Sequence, residues 1–126
     1  MLSTKTMTTV LPVKDMDRAR AFYQDSLGLQ PAGPLGEDSF LFSSDGSTAV
    51  ELIVRPDADT SDHTSISFEV ADLETEMSEL AGRGVDFADY DLPGLKTVNH
   101  IAVTGHQRCA WFPDSEGNIL CLHQNI

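Results

Sequence analysis

The chain has 126 residues, the size of one ordinary domain, and its 40% hydrophobic and 22% charged residues are the balance of a soluble globular protein, not of a disordered or membrane-embedded one. Eight Lys and Arg against 20 Asp and Glu give a formal net charge of −12. That argues against nucleic acid and anionic membranes as partners, because phosphate binding needs clustered cations. It favours a cationic small molecule, beside the plainer reading that an acidic surface serves solubility. No segment approaches the roughly 20 apolar residues of a membrane helix, and Met1 to Thr6 lacks the apolar core of a signal peptide, so a cytoplasmic location is expected. Cys109 and Cys121 are then expected as reduced thiols.

In chain order, the first strand signal is Thr8 to Val13. Asp15 follows as a helix N-cap, Met16, Ala19, Phe22, Tyr23 and Leu27 recur at helical spacing, and Gly28 stands where a C-terminal cap belongs. Pro31 to Gly36 reads as a Pro/Gly-rich connection. Ser39 to Ser43 and Thr48 to Arg55 read as strands of a hairpin, turned by Ser44-Asp45-Gly46-Ser47.

After the polar stretch Pro56 to Asp62 the plan repeats. Thr64 to Val70 alternates as a strand; Asp72 caps a helix with Leu73, Met77 and Leu80 as its buried stripe, and Gly82-Arg83-Gly84 stops it. Strands are expected at Val85 to Tyr90, weakly at Val98 to Val103, at Gln107 to Phe112 and at Asn118 to Gln124. Tyr90 to Leu95 reads as an exposed loop, and Pro113 to Asn118 as a hairpin turn. Val13-Lys14-Asp15-Met16 overlays Val70-Ala71-Asp72-Leu73, and with one gap Leu27-Gly28-Leu29 falls on Arg83-Gly84-Val85. Two copies of a βαβββ unit are implied, about 8–55 and 64–125, within one domain over 1–126.

Leu11-Pro12-Val13-Lys14-Asp15, Ala21-Phe22-Tyr23, Leu27-Gly28-Leu29, Phe68-Glu69-Val70-Ala71-Asp72-Leu73 and Trp111-Phe112-Pro113-Asp114-Ser115-Glu116-Gly117-Asn118-Ile119-Leu120, in this order, resemble the vicinal-oxygen-chelate superfamily of glyoxalases, bleomycin-resistance proteins and extradiol dioxygenases. The resemblance runs from about Thr8 to Gln124. It implies an α+β fold in which two βαβββ repeats form a curved mixed sheet around a cavity, helices outside, often completed as a homodimer. The fold hosts many activities, so it does not fix one.

In metal-dependent members of such a family four ligands come from four strands, and the resemblance puts them at Thr8, Glu51, Ser65 and Cys121. Only Glu51 is an ordinary ligand there, because the hydroxyls of Thr8 and Ser65 supply neither charge nor a strong nitrogen donor. Cys121 is a thiolate candidate for zinc. A shifted site of Glu51, Cys121, His123 and His63 meets the objection that two residues along a strand is roughly 6.6 Å. No metal is therefore assigned; one divalent metal such as zinc is the alternative.

Glu51 reads as a general base, as a counter-ion for a cationic ligand, or as a carboxylate hydrogen-bonded to Thr8 or Ser65. Thr8, Ser65, Ser67, Cys121, His63 and His123 are the other expected cavity residues, and His100 and His106 read as solvated. Trp111, Phe40, Phe42 and Tyr90 suit core packing or an aromatic clamp on a ligand. Cys109 and Cys121 stand opposite one another in one hairpin register and on opposite faces after a one-residue slip. Two functions follow. One is a metal-independent small-molecule-binding protein sequestering a compound, cationic by charge; the other is an enzyme, either a metal-free lyase or isomerase with Glu51 as base or a metal enzyme with a non-standard site.

Overall fold

The structure is a computed structural model, and it describes residues 1–43 and 48–126. The chain divides into two compact units, Met1–Thr60 and Ser61–Ile126. Each contains a four-stranded mixed sheet and a helix that packs on it.

In the first unit β1 (Met7–Val13) alternates, with Leu11 and Val13 buried and Thr8 and Val10 exposed. Asp15 then starts α1 (Met16–Ala21) as expected, its carboxylate accepting the Arg18 amide at 3.1 Å. The helix widens into a π-helical turn over Phe22–Ser26, and Gly28 leaves it with φ of 75°. Ala19 and Tyr23 are buried, and the Tyr23 ring lies 6.1 Å from that of Phe42. Phe40 and Phe42 are thus core residues, not a clamp.

The stretch read as a Pro/Gly connection is a strand, β2 (Gln30–Gly36), pairing antiparallel with β3 (Ser39–Ser43). Pro31 and Pro34 have no amide to donate, and they are tolerated because β2 is an edge strand whose register shifts beside both prolines. β4 (Thr48–Val54) pairs with β3 antiparallel and with β1 parallel, giving the order β1-β4-β3-β2. The turn expected at Ser44-Asp45-Gly46-Ser47 lies outside the described residues.

The second unit repeats this topology. β5 (Thr64–Glu69) leads to α2 (Leu73–Gly82), whose N-cap Asp72 accepts the Thr75 amide at 3.1 Å, the bond Asp15 makes in the first unit. Leu73, Met77 and Leu80 are buried as their spacing predicts. Then come β8 (Ala102–Thr104), β9 (Gln107–Pro113) and β10 (Ile119–Asn125), in the order β5-β10-β9-β8 with β5 parallel to β10. Both units are therefore βαβββ, and the fold is α+β.

Two segments depart from expectation. Val85 to Tyr90 is not a strand: its amide at Ala88 reaches the Trp111 carbonyl at 2.8 Å, but β8 occupies the neighbouring edge of β9 from Gln107 to Cys109. Tyr90 to Leu95, read as a loop, contains a two-residue ladder between β6 (Asp91–Leu92) and β7 (Leu95–Lys96), turned through Pro93 and Gly94, the latter at φ of 81°.

Candidate functional site

Directly paired strand residues point to the same side of a sheet, so register fixes which side chains share a face. In the first unit α1 covers the face of Leu11, Val13, Phe40, Phe42, Val50 and Leu52. On the other face Val10 pairs with Glu51, and Glu51 with Leu41, while Ala49 and Ile53 flank it along β4. Glu51 is thus a half-buried carboxylate in an apolar setting. It has no hydrogen-bond or ion-pair partner among the described residues. Thr8 shares this face but pairs with Ala49, two residues from Glu51, so the expected Thr8–Glu51 hydrogen bond is not made. Thr8 is exposed and Val10 is 52% exposed.

In the second unit the face away from α2 carries Ser67, Cys121 and Trp111 in one row and Glu69, His123 and Cys109 in the next. His123 lies between two partners: the Ser67 hydroxyl at 2.6 Å from its Nδ1, and a Glu69 oxygen at 3.9 Å from its Nε2. The Asn125 amide donates to that same Glu69 oxygen at 2.9 Å. Trp111 donates its indole N–H to Thr64 Oγ1 at 3.1 Å and meets the Tyr90 ring edge-on at 5.6 Å. Ser65 is half-buried, 3.5 Å from the Ser61 hydroxyl. Glu69 shares the polar face of Ser65 and Ser67 by alternation in the sequence, whereas Thr64 and Asn125 escaped the sequence reading as site residues.

The hairpin register is neither of the two considered from sequence. Cys121 pairs with Trp111 and Cys109 with His123, so the cysteines share a face as diagonal neighbours. Both are free and buried. Burial pushes the Cys121 thiol up to about 11, against a lowering hydrogen bond from Ser67. It is a protonated thiol at neutral pH, bonded to the Leu122 carbonyl at 3.2 Å and poorly suited to nucleophilic attack.

The donor set at the family's four metal positions does not fit a divalent cation. Thr8 and Ser65 are neutral hydroxyls, which leaves the Glu51 carboxylate and the Cys121 thiol as the only ordinary metal donors among the four. The shifted arrangement fails within the second unit. β5 and β10 are parallel, so His123 stands beside Glu69 while His63 precedes the first residue of β5. Six residues of strand, roughly 20 Å, separate the two histidines. His63 is exposed and bonds the Thr64 carbonyl through Nδ1 at 3.1 Å. No group of three His, Cys, Asp or Glu that could hold a metal occurs among the described residues. His100 pairs with Asp89 at 3.0 Å, and His106 is exposed. No helix among the described residues is long and apolar enough to cross a membrane.

The sequence profile of the Glyoxalase/Bleomycin resistance protein/Dioxygenase superfamily matches residues 6–121. No protein of curated function matches the chain. Among solved structures, a member of that superfamily from Sphaerobacter thermophilus DSM 20745 is 21% identical, with 99% of this chain and 100% of that one covered and a TM-score of 0.76. TnmS3, an antibiotic binding protein from Streptomyces sp. CB03234, is 21% identical over 98% of both chains with a TM-score of 0.72. A glyoxalase/bleomycin resistance protein from the same Streptomyces is 23% identical, covering 93% of this chain and 97% of that one, with a TM-score of 0.69. At such identities these likenesses speak for the fold. The profile, however, spans nearly the whole chain and agrees with the two βαβββ units, and the chain belongs to the Glyoxalase/Bleomycin resistance protein/Dioxygenase superfamily.

Proposed function

We propose that this chain is a metal-independent small-molecule-binding protein that sequesters an organic cation with an apolar body, held on the face of the first sheet that carries Glu51. The observation that carries the reading is Glu51: a half-buried carboxylate with no partner among the described residues, set between Val10 and Leu41 and flanked by Ala49 and Ile53. Such a group is poorly solvated on its apolar side and gains most from a ligand that brings an ammonium and hydrocarbon together. The net charge of −12 adds long-range attraction for the same class. TnmS3, named as antibiotic binding, lends support to a binding role on this fold. In the second unit Ser67, His123, Cys121 and Trp111, with Ser65, offer polar and aromatic contacts of their own. The protein works as a homodimer, on the strength of the family resemblance; mass in solution tests the dimer.

The test is calorimetric titration with paired probes, an alkyl or aryl amine and its neutral alcohol analogue, against the wild type and Glu51→Gln. The amine is expected to bind more tightly than the alcohol and to lose about tenfold or more in Glu51→Gln, the ~1.5–3 kcal/mol of a charge-assisted hydrogen bond. Equal affinity of both probes for both proteins overturns the cation reading. A second reading, in which the partnerless Glu51 acts as a base, predicts instead that a bound probe is chemically changed and that Glu51→Gln stops the change.

A further inference from the structure

The second unit also holds a recess on the helix side of its sheet, distinct from both faces above. It has a volume of about 630 Å³, inside the usual range for small-ligand sites. Met77 of α2 lines it together with Val98, Ile101 and Val103, and Lys96 and Arg108 are its two cationic lining residues. No motif in the sequence marked it.

Three observations bear on what it takes. Val98 and Val103 are 66% and 67% exposed, and together with Met77 and Ile101 they concentrate apolar surface in one concavity. The second observation is charge. Two of the chain's eight Lys and Arg line this single recess. Glu74, its one acidic lining residue, is bound by the Arg108 guanidinium through both carboxylate oxygens. Asp72, which also acts on Arg108, accepts the Thr75 amide through one carboxylate oxygen and does not line the recess. The Lys96 ammonium makes no ion pair or hydrogen bond among the described residues, although Asp91 stands opposite it in the β6–β7 ladder. Of the facing pair, Lys96 lines the recess and Asp91 does not, so the recess presents a cation with no bonded counter-ion in a chain that is otherwise strongly acidic.

Third, the apolar wall is built in advance. Val98 and Ile101 exchange backbone hydrogen bonds at 2.8 and 3.1 Å around Asn99 and His100, two residues held at φ of 52° and 69°. Thr97 fixes the approach by accepting the Tyr90 amide at 2.9 Å and donating to Asp89 at 3.0 Å. A preformed wall lowers the ordering cost of a ligand.

We propose that this recess is a binding site for a small amphipathic anion, a carboxylate or sulfonate headgroup on Lys96 with its hydrocarbon against Val98, Ile101, Val103 and Met77. The ligand class is opposite in charge to that proposed for Glu51, so the two sites are separable by experiment.

The probes are decanoate, below its micelle concentration, and 8-anilinonaphthalene-1-sulfonate, titrated into the full chain while methyl resonances are followed by NMR. The expected result is saturable shifts at the Val98, Ile101 and Val103 methyls by both anions, with one equivalent per chain. Affinity should fall at least tenfold in Lys96→Glu and in Val103→Asp, two exposed positions whose substitution spares the core. Decyltrimethylammonium should not displace the sulfonate. The proposal is overturned by shifts that map to other methyls, by no shift up to millimolar probe, by Lys96→Glu binding like wild type, or by equally good competition from the cationic amphiphile.

Discussion

Asp114 is the residue on which the β9–β10 hairpin turns, and replacing it tests how this fold holds its second site face. Its side chain is 6% exposed. One carboxylate oxygen accepts the Glu116 and Asn118 amides, each at 2.8 Å, and the other accepts the Asn118 side-chain amide at 2.8 Å. Asn118 is 1% exposed, so its donors have no solvent to turn to. Asp114→Ala removes the acceptor of three N–H groups at once. At ~1–3 kcal/mol for each buried donor left unsatisfied, less what entering water recovers, the loss is about 3–5 kcal/mol, a large share of the ~5–15 kcal/mol by which a domain is stable. Asp114→Asn keeps one oxygen for the two backbone amides but sets an NH₂ against the Asn118 NH₂, and should cost about 1–2 kcal/mol. The assay is guanidinium unfolding followed by the fluorescence of Trp111, the chain's single tryptophan and itself on β9. Expected is the order wild type, Asp114→Asn, Asp114→Ala with an unchanged slope. A loss below about 1 kcal/mol in Asp114→Ala would show that the turn is not held by this carboxylate.

Cys121, with its thiol raised to about 11 by burial, should react with iodoacetamide at pH 7.4 about 300-fold more slowly than an ordinary thiol near 8.5 on ionisation alone. Peptide mass mapping of labelling within tenfold of a free thiol would refute this. The same shift sets an alkaline limit. The folded state holds the proton more tightly than the unfolded one, so this contribution is complete below about pH 8.5 and is lost as pH rises through about 11. Cys121→Ala should flatten that part of the unfolding profile. Asp72→Ala should cost about 1 kcal/mol through the lost cap on Thr75, and an unfolding midpoint identical to wild type would deny the cap its role.

What sequence revealed of this fold was whatever local chemistry determines. Asp15 and Asp72 cap helices because a carboxylate after a strand meets free amides, and the same 3.1 Å bond recurs in both units. The buried stripe of Leu73, Met77 and Leu80 follows from helical spacing alone. β2 was hidden because prolines and glycines signal a break, yet an edge strand needs hydrogen bonds on one side only. Val85 to Tyr90 has strand-like composition, but it reaches β9 through the single Ala88–Trp111 bond, beyond the three residues that β8 pairs, and strand composition does not by itself supply a ladder.

The candidate site divides along the same line. Alternation sets Thr8 and Val10 on one face of β1 and Ser67 and Glu69 on one face of β5, whereas which residue stands opposite which depends on register. Glu51 faces Val10 instead of the Thr8 hydroxyl, and this one offset turns a hydrogen-bonded carboxylate into a partnerless one in apolar surroundings. The two histidines, set aside as a shifted metal site on spacing, are kept apart for a reason that topology contains. His63 precedes its strand and His123 sits late in its own, and in a βαβββ unit those two strands run parallel. Displacements of opposite sign along parallel strands drive side chains apart, so His63 is left at one end of the pair while His123 finds Ser67 and Glu69 at the other. The recess beside Lys96 belongs to a third category: its residues come from a helix, a tight turn and two strand edges, share no periodicity, and are joined only by the folded chain. Ligand chemistry built in that way is reached through exposed apolar surface and uncommitted charge, which is why it rests on Val98, Val103 and Lys96 and not on any sequence motif.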